Sequence, residues 1–223
     1  EECDLPPLPR GELLLQQLGC ALRLACGLGA TAHGRDHRTH QLAIALEHVL
    51  VTTLAADVGP GDANLPITAR LLEMAEAELG PPPVPYAWMA GGSQARHEQS
   101  SHSDQDNALL LSDDFDKDAH DGYFAALAKF VSDGLDACGF VYCPGDAMAS
   151  NPESRQPLSV WMGYFNKWIQ APEPKSVMLS SIFFDLRPVT GAMELFVPLQ
   201  QNILKKSQEN RIFLAYMMAN AMK

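Results

Sequence analysis

Trp88-Met89-Ala90-Gly91-Gly92-Ser93-Gln94-Ala95-Arg96-His97-Glu98-Gln99, with Ser103-Asp104-Gln105-Asp106-Asn107-Ala108-Leu109 close behind it, is the stretch from which the rest of the chain can be read. An apolar run leads into two glycines and a serine. That pattern predicts a strand that turns sharply into a helix, with Ser93 as N-cap and the helix opening at Gln94. Such a turn is expected to face an anion. The first N–H groups of a helix lack intrahelical acceptors and carry the positive end of its dipole, the Ser93 hydroxyl lies beside them, and glycine lets a phosphate approach the backbone. Arg96 adds a charged fork to the same turn. Tripeptides of this kind also serve as plain strand-to-helix turns, so Gly91-Gly92-Ser93 alone is a weak signal and gains weight from the carboxylates downstream of it.

Asp104 and Asp106 are separated by one residue at the head of a second apolar run. Residues i and i+2 of a strand share a face. Two carboxylates on one face repel each other, and a cation relieves the repulsion; Mg²⁺ is a hard ion that takes carboxylate oxygens together with substrate phosphate. The other reading of such a pair is a solvated loop, and Asp113, Asp114, Asp116 and Asp118 read as an acidic surface run of that kind. A third candidate, Asp185, interrupts Ile182-Phe183-Phe184-Asp185-Leu186-Arg187. A carboxylate in so apolar a strand needs a partner or a metal.

Outward from this stretch the periodicity divides the chain into three parts. Residues 1–83 read as a helical bundle, with stripes such as Leu42, Leu46, Val49, Leu50, Leu54 and Ile67, Leu71, Ala75, Leu79, ended by Gly80-Pro81-Pro82-Pro83. Residues 84–190 alternate strand-like runs (87–90, 108–111, 140–142, 177–186) with helical patterns (Tyr123 to Leu135, Leu158 to Trp168), an α/β core with a mixed sheet. Residues 191–223 are helical by pattern through Leu195, Leu199, Ile203, Ile212 and Tyr216. No internal repeat is found. The acidic, proline-rich start and the end without a stop signal are expected of a fragment of a longer chain.

Composition narrows the function classes. A formal charge of −11 argues against a surface that grips nucleic acid, since phosphate backbones need basic groups. Five scattered cysteines without a C-x-x-C pair indicate neither a disulfide framework nor a zinc site and suit a reducing cytoplasm. No apolar run approaches the ~20 residues that span a bilayer. His33, His37 and His40 lack a carboxylate or cysteine to complete a tetrahedral set and are read as surface. Trp161, Phe165 and Trp168 form a stripe expected in the core. Ser150, Asn151 and Arg155, in a loop rich in glycine and proline, and Arg187, near Asp185, are the next candidates for contacting nucleotide or acceptor.

The order G-G-S-x-A-R-x-E, then S-D-x-D, then a late strand with a lone aspartate resembles the nucleotidyltransferase superfamily of DNA polymerase beta. Ser103-Asp104-Gln105-Asp106-Asn107-Ala108, Met148-Ala149-Ser150-Asn151-Pro152 and Phe183-Phe184-Asp185-Leu186-Arg187-Pro188 are similar to a bacterial subgroup related to PII-protein uridylyltransferase, usually found behind CBS-pair and cyclic-nucleotide-binding domains. The resemblance runs from about Leu13 to the end. It implies that Gly92 and Ser93 bind a nucleoside triphosphate, that Asp104 and Asp106 carry Mg²⁺ or Mn²⁺, and that Asp185 completes the triad. It further implies transfer of a nucleoside monophosphate to a protein or small-molecule acceptor with release of pyrophosphate. Gln105 and Asn107 stand where many superfamily members have apolar residues. A regulatory nucleotide-binding module with little or no turnover is the second reading, and an interaction domain built on the N-terminal helices the third.

Overall fold

The computed structural model describes residues 64–99, 103–171 and 182–221. The stripe from Leu42 to Leu54 and His33, His37 and His40 lie outside them. Helix α1 (Asn64–Leu79) buries Ile67, Leu71, Leu72 and Ala75, the spacing that the sequence predicts. It stops at Gly80, whose φ of +88° is easy only for glycine, and Pro81 cannot continue the helix.

Strands β1 (Tyr86–Ala90), β2 (Asn107–Leu111), β3 (Arg155–Pro157) and β4 (Arg187–Gly191) form a mixed sheet in the order β3-β2-β1-β4. β1 pairs antiparallel with β2 and with β4, and β2 pairs parallel with β3. Tyr86, Trp88, Leu109 and Leu111 face α1 and α3 (Lys117–Ala137), packing with Leu71, Phe124, Leu127 and Val131. Ala87, Met89, Ala108 and Leu110 face the other way. They pack with Trp161, Phe165 and Ile169 of α4 (Leu158–Gln170) and with Leu199 of α5 (Phe196–Glu209) and Phe213 of α6 (Arg211–Ala221). Burial on both faces explains why β1 and β2 read as continuous apolar runs. The tryptophan stripe lies in the core as expected, and Trp161 satisfies its indole N–H on the Leu109 carbonyl at 3.0 Å.

Three expectations differ from what is observed. Residues 140–142 form no strand: Val141 O accepts one backbone bond, from Gln105 N upstream of β2, and the β2 edge further on, Leu109–Leu111, is paired with β3. Of the late strand-like run 177–186, residues 177–181 lie outside the described residues, whereas 182 and 183 are helical and 184–186 are turn and exit, and the strand that follows is β4, Arg187–Gly191; Pro188 is accommodated because β4 is an edge strand. β3 has no counterpart among the strand-like runs of the sequence, being only three residues long, polar and ended by Pro157. α1, assigned by periodicity to the N-terminal part, shares one core cluster with the sheet. Among the described residues no helix is long and apolar enough to cross a membrane.

Candidate active site

The register of β1 on β2 builds the site. Ala90 pairs with Asn107, so the turn that leaves β1 lies against the residues that enter β2. The Gly91 N–H donates to the Asp106 carbonyl at 2.8 Å. Gly92 has a φ of +50°, and a Cβ placed on it would stand 2.4 Å from Asp106 Oδ2. No side chain fits between this backbone and that carboxylate.

The turn itself corrects the expected cap. Helix α2 is a single turn, Gly92–Ala95, with Gly91 as N-cap and no side-chain cap hydrogen bond. Ser93 therefore sits inside the turn rather than at its cap. So short a helix sums few peptide dipoles, and its first N–H groups have no acceptor within the helix. Arg187 holds the far end of the turn, its Nε donating to Ala95 O at 3.2 Å and its Nη2 to Gln94 O at 3.1 Å.

The alternation of β2 extends upstream of the strand. Gln105 and Asn107 point into the protein while Asp104 and Asp106 remain partly exposed. Carboxylate oxygens of Asp104 and Asp106 and the Sγ of Cys143 lie within 4.8 Å of one another. The Cys143 thiol donates to Asp106 Oδ1 at 3.5 Å. Burial, then the neighbouring charge of Asp104, pushes the Asp106 pKa up to about 6, against opposing pulls from the Cys143 thiol and the Arg96 guanidinium. Burial likewise raises the Cys143 pKa. A partly buried carboxylate that resists ionisation beside a second one is the donor set a divalent cation suits.

Asp185 lies in the turn before β4, partly exposed, not within an apolar strand. Arg96 Nη1 donates to its Oδ2 at 2.7 Å, and Arg96 Nε donates to Glu98 Oε2 at 2.7 Å. The partner that the sequence demands for Asp185 is thus Arg96, and Asp185 is not among the three side chains that cluster within 4.8 Å.

Of the loop candidates, Asn151 is engaged by its own loop: Oδ1 accepts from Glu153 N at 2.9 Å and Nδ2 donates to Asp146 O at 3.0 Å. Arg155 is buried and donates to the carbonyls of Ala149 and Ser150 and to Asp121. The Ser150 side chain stays half-buried on this braced loop. In the run read as acidic surface, Asp116 caps α3 through the N–H groups of Asp118 and Ala119, and Asp113 accepts from Ser159 N at the start of α4. Cys143 is the site neighbour that the sequence does not single out. Its only signal is indirect, the polar Gln105 and Asn107 at core-facing positions.

A family model described as "Putative nucleotidyltransferase DUF294" matches residues 51–175. That span is more than half of the chain, and the chain belongs to this nucleotidyltransferase family. It contains Gly92, Ser93, Arg96, Asp104, Asp106, Cys143, Ser150 and Asn151, whereas Asp185 and Arg187 lie beyond it. No curated protein matches the chain.

Proposed function

We propose that this site transfers a nucleoside monophosphate from a nucleoside triphosphate to a hydroxyl acceptor, with release of pyrophosphate. The observation that carries the reading is the packing of the Gly91-Gly92-Ser93 turn directly onto Asp106, with Asp104 beside it. Mg²⁺ or Mn²⁺ bound by Asp104 and Asp106 supplies charge neutralisation on the triphosphate and activation of the acceptor oxygen.

The chain's own groups do the placing. Asp104 and Asp106 present their oxygens on one side, and the first N–H groups of α2 with the Ser93 hydroxyl meet the phosphates on the other. Arg187 keeps that turn in position. Asp185 joins as the third carboxylate once Arg96 leaves it for the triphosphate, and Ser150 and Asn151 border the nucleotide or acceptor side. No covalent intermediate on the protein is required; the acceptor oxygen replaces the pyrophosphate oxygen on the α-phosphorus.

By likeness to PII-protein uridylyltransferase, the acceptor is a protein side chain or a small molecule, and CBS or cyclic-nucleotide-binding domains are the proposed regulatory neighbours in a cytoplasmic protein. A nucleotide-binding module with weak or no turnover is the second reading, favoured by the engagement of Asp185 with Arg96. A panel of nucleoside triphosphates with Mg²⁺ or Mn²⁺, scored by thermal shift and by pyrophosphate release, separates the two. Stabilisation with pyrophosphate release supports the enzyme, stabilisation alone supports the module, and no stabilisation in the whole panel contradicts both.

A further inference from the structure

Gln105 and Asn107 are amides at positions where the core would accept apolar groups. The two residues are 0 % and 1 % exposed, and burying an amide is costly unless it is hydrogen-bonded. Apolar side chains at the same points would fill the space without that cost.

Each of the two amides bonds to one end of segment 140–149. Gln105 Nε2 donates to Ser132 O in α3 at 3.0 Å and to Phe140 O at 2.8 Å. Asn107 Oδ1 accepts from Ala149 N at 2.7 Å, and Asn107 Nδ2 donates to Gln105 Oε1 at 3.4 Å. The backbone repeats the pattern, with Gln105 N donating to Val141 O at 2.9 Å and Asn107 N to Ala147 O at 3.0 Å. Segment 140–149 is therefore an arch whose feet, Phe140 and Ala149, are tied to the two amides flanking Asp106. The arch is closed by a turn in which Asp146 N donates to Cys143 O at 3.0 Å. Cys143, within the arch, is the residue that reaches Asp106.

We infer that Gln105 and Asn107 are positioning residues of the metal-carrying carboxylates: by anchoring both feet of the 140–149 arch they hold Cys143 against Asp106 Oδ1 and fix that side of the cation site. The cation part of this inference rests on the function proposed above; the placement of Cys143 does not. Outer-layer groups that orient ligands commonly change metal affinity roughly 10- to 100-fold. Because Cys143 meets Asp106 Oδ1 while the Gly92 turn packs against Oδ2, releasing a foot is expected to weaken the metal and leave triphosphate affinity at saturating metal nearly unchanged.

The test uses the full 223-residue chain and the variants Gln105→Met and Asn107→Ala, with Leu127→Ala in the α3 core as a control that lowers the melting temperature away from the site. Alkylation of Cys143 by N-ethylmaleimide is followed in metal-free protein by peptide-resolved mass spectrometry, and Mn²⁺ binding is followed by electron paramagnetic resonance. Severalfold faster alkylation and roughly tenfold weaker Mn²⁺ binding are expected in both site variants, with neither change in the control. Should Gln105→Met fail to fold, Asn107→Ala, which releases the Ala149 foot and its link to Gln105, carries the same expectation. Wild-type rates and affinities in a folded site variant, or the same losses in Leu127→Ala, overturn the inference. A wild type that binds no Mn²⁺ removes the proposed function instead, and the alkylation rates still decide whether the amides place Cys143.

Discussion

Arg96 and Asp185, 89 residues apart in sequence, are joined by a 2.7 Å hydrogen-bonded ion pair that ties the turn after β1 to the turn before β4. Both side chains are substantially exposed, 42 % and 37 %. Exposed pairs contribute little, typically ~0 to 1 kcal/mol, so a triphosphate can draw Arg96 away at small cost. Arg96→Ala is therefore expected to lower stability by less than about 1 kcal/mol in urea denaturation, while calorimetry records weaker triphosphate binding in the presence of Mn²⁺. Unchanged triphosphate affinity would confine Arg96 to the structural pair.

Asp106 gives a pH dependence with a definite sign. Its folded-state pKa of about 6 lies above the ~3.9 of a free aspartate. The folded state therefore binds this proton more tightly than the unfolded state. The stability this confers is complete below about pH 4 and is lost as pH rises through about 6. Metal-free Asp106→Asn is accordingly expected to melt at or above wild type at about pH 7, and to lack this group's decline between about pH 4 and 7. A lower melting temperature for the metal-free variant at neutral pH would mean that the carboxylate is structural.

The turn distinguishes backbone from hydroxyl. Gly92→Ala places a Cβ against Asp106 Oδ2 at a positive φ, and the left-handed conformation alone costs about 1 to 2 kcal/mol for a residue with a Cβ. Stability and triphosphate binding are both expected to fall. Ser93→Ala is expected to keep the melting temperature and to lose about 1 kcal/mol of triphosphate affinity. Equal binding by Ser93→Ala and wild type would take the hydroxyl out of the phosphate contact.

The β1 turn, the spacing of Asp104 and Asp106, the Trp161 stripe and the glycine-proline stop after α1 are local signals in the sequence, and the structure agrees with the mixed α/β architecture that they imply. Asp185 requires more. Its apolar neighbours suggest a strand, yet Phe183 is buried from a helical residue and Leu186 from the exit of the turn after it, and it is the fold that selects Arg96 over Arg187 as its partner. The 140–149 arch is illegible in sequence for a related reason. It is held by side-chain amides far away along the chain, and no period within the segment reports them. Gln105 and Asn107 are visible as departures from an apolar pattern, but their function depends on what packs behind the sheet.

The central claim, that Asp104 and Asp106 carry the cation through which a triphosphate binds, is tested most directly by calorimetric titration of a nucleoside triphosphate into wild type, Asp104→Asn, Asp106→Asn and Asp185→Asn, each with and without Mn²⁺. An amide keeps the shape of the side chain and removes the charge that holds the cation. Metal-dependent binding is expected in wild type and is expected to be abolished in the three variants, with folding intact by circular dichroism. Triphosphate binding that persists undiminished in Asp104→Asn and Asp106→Asn, or that does not depend on metal in wild type, would contradict it.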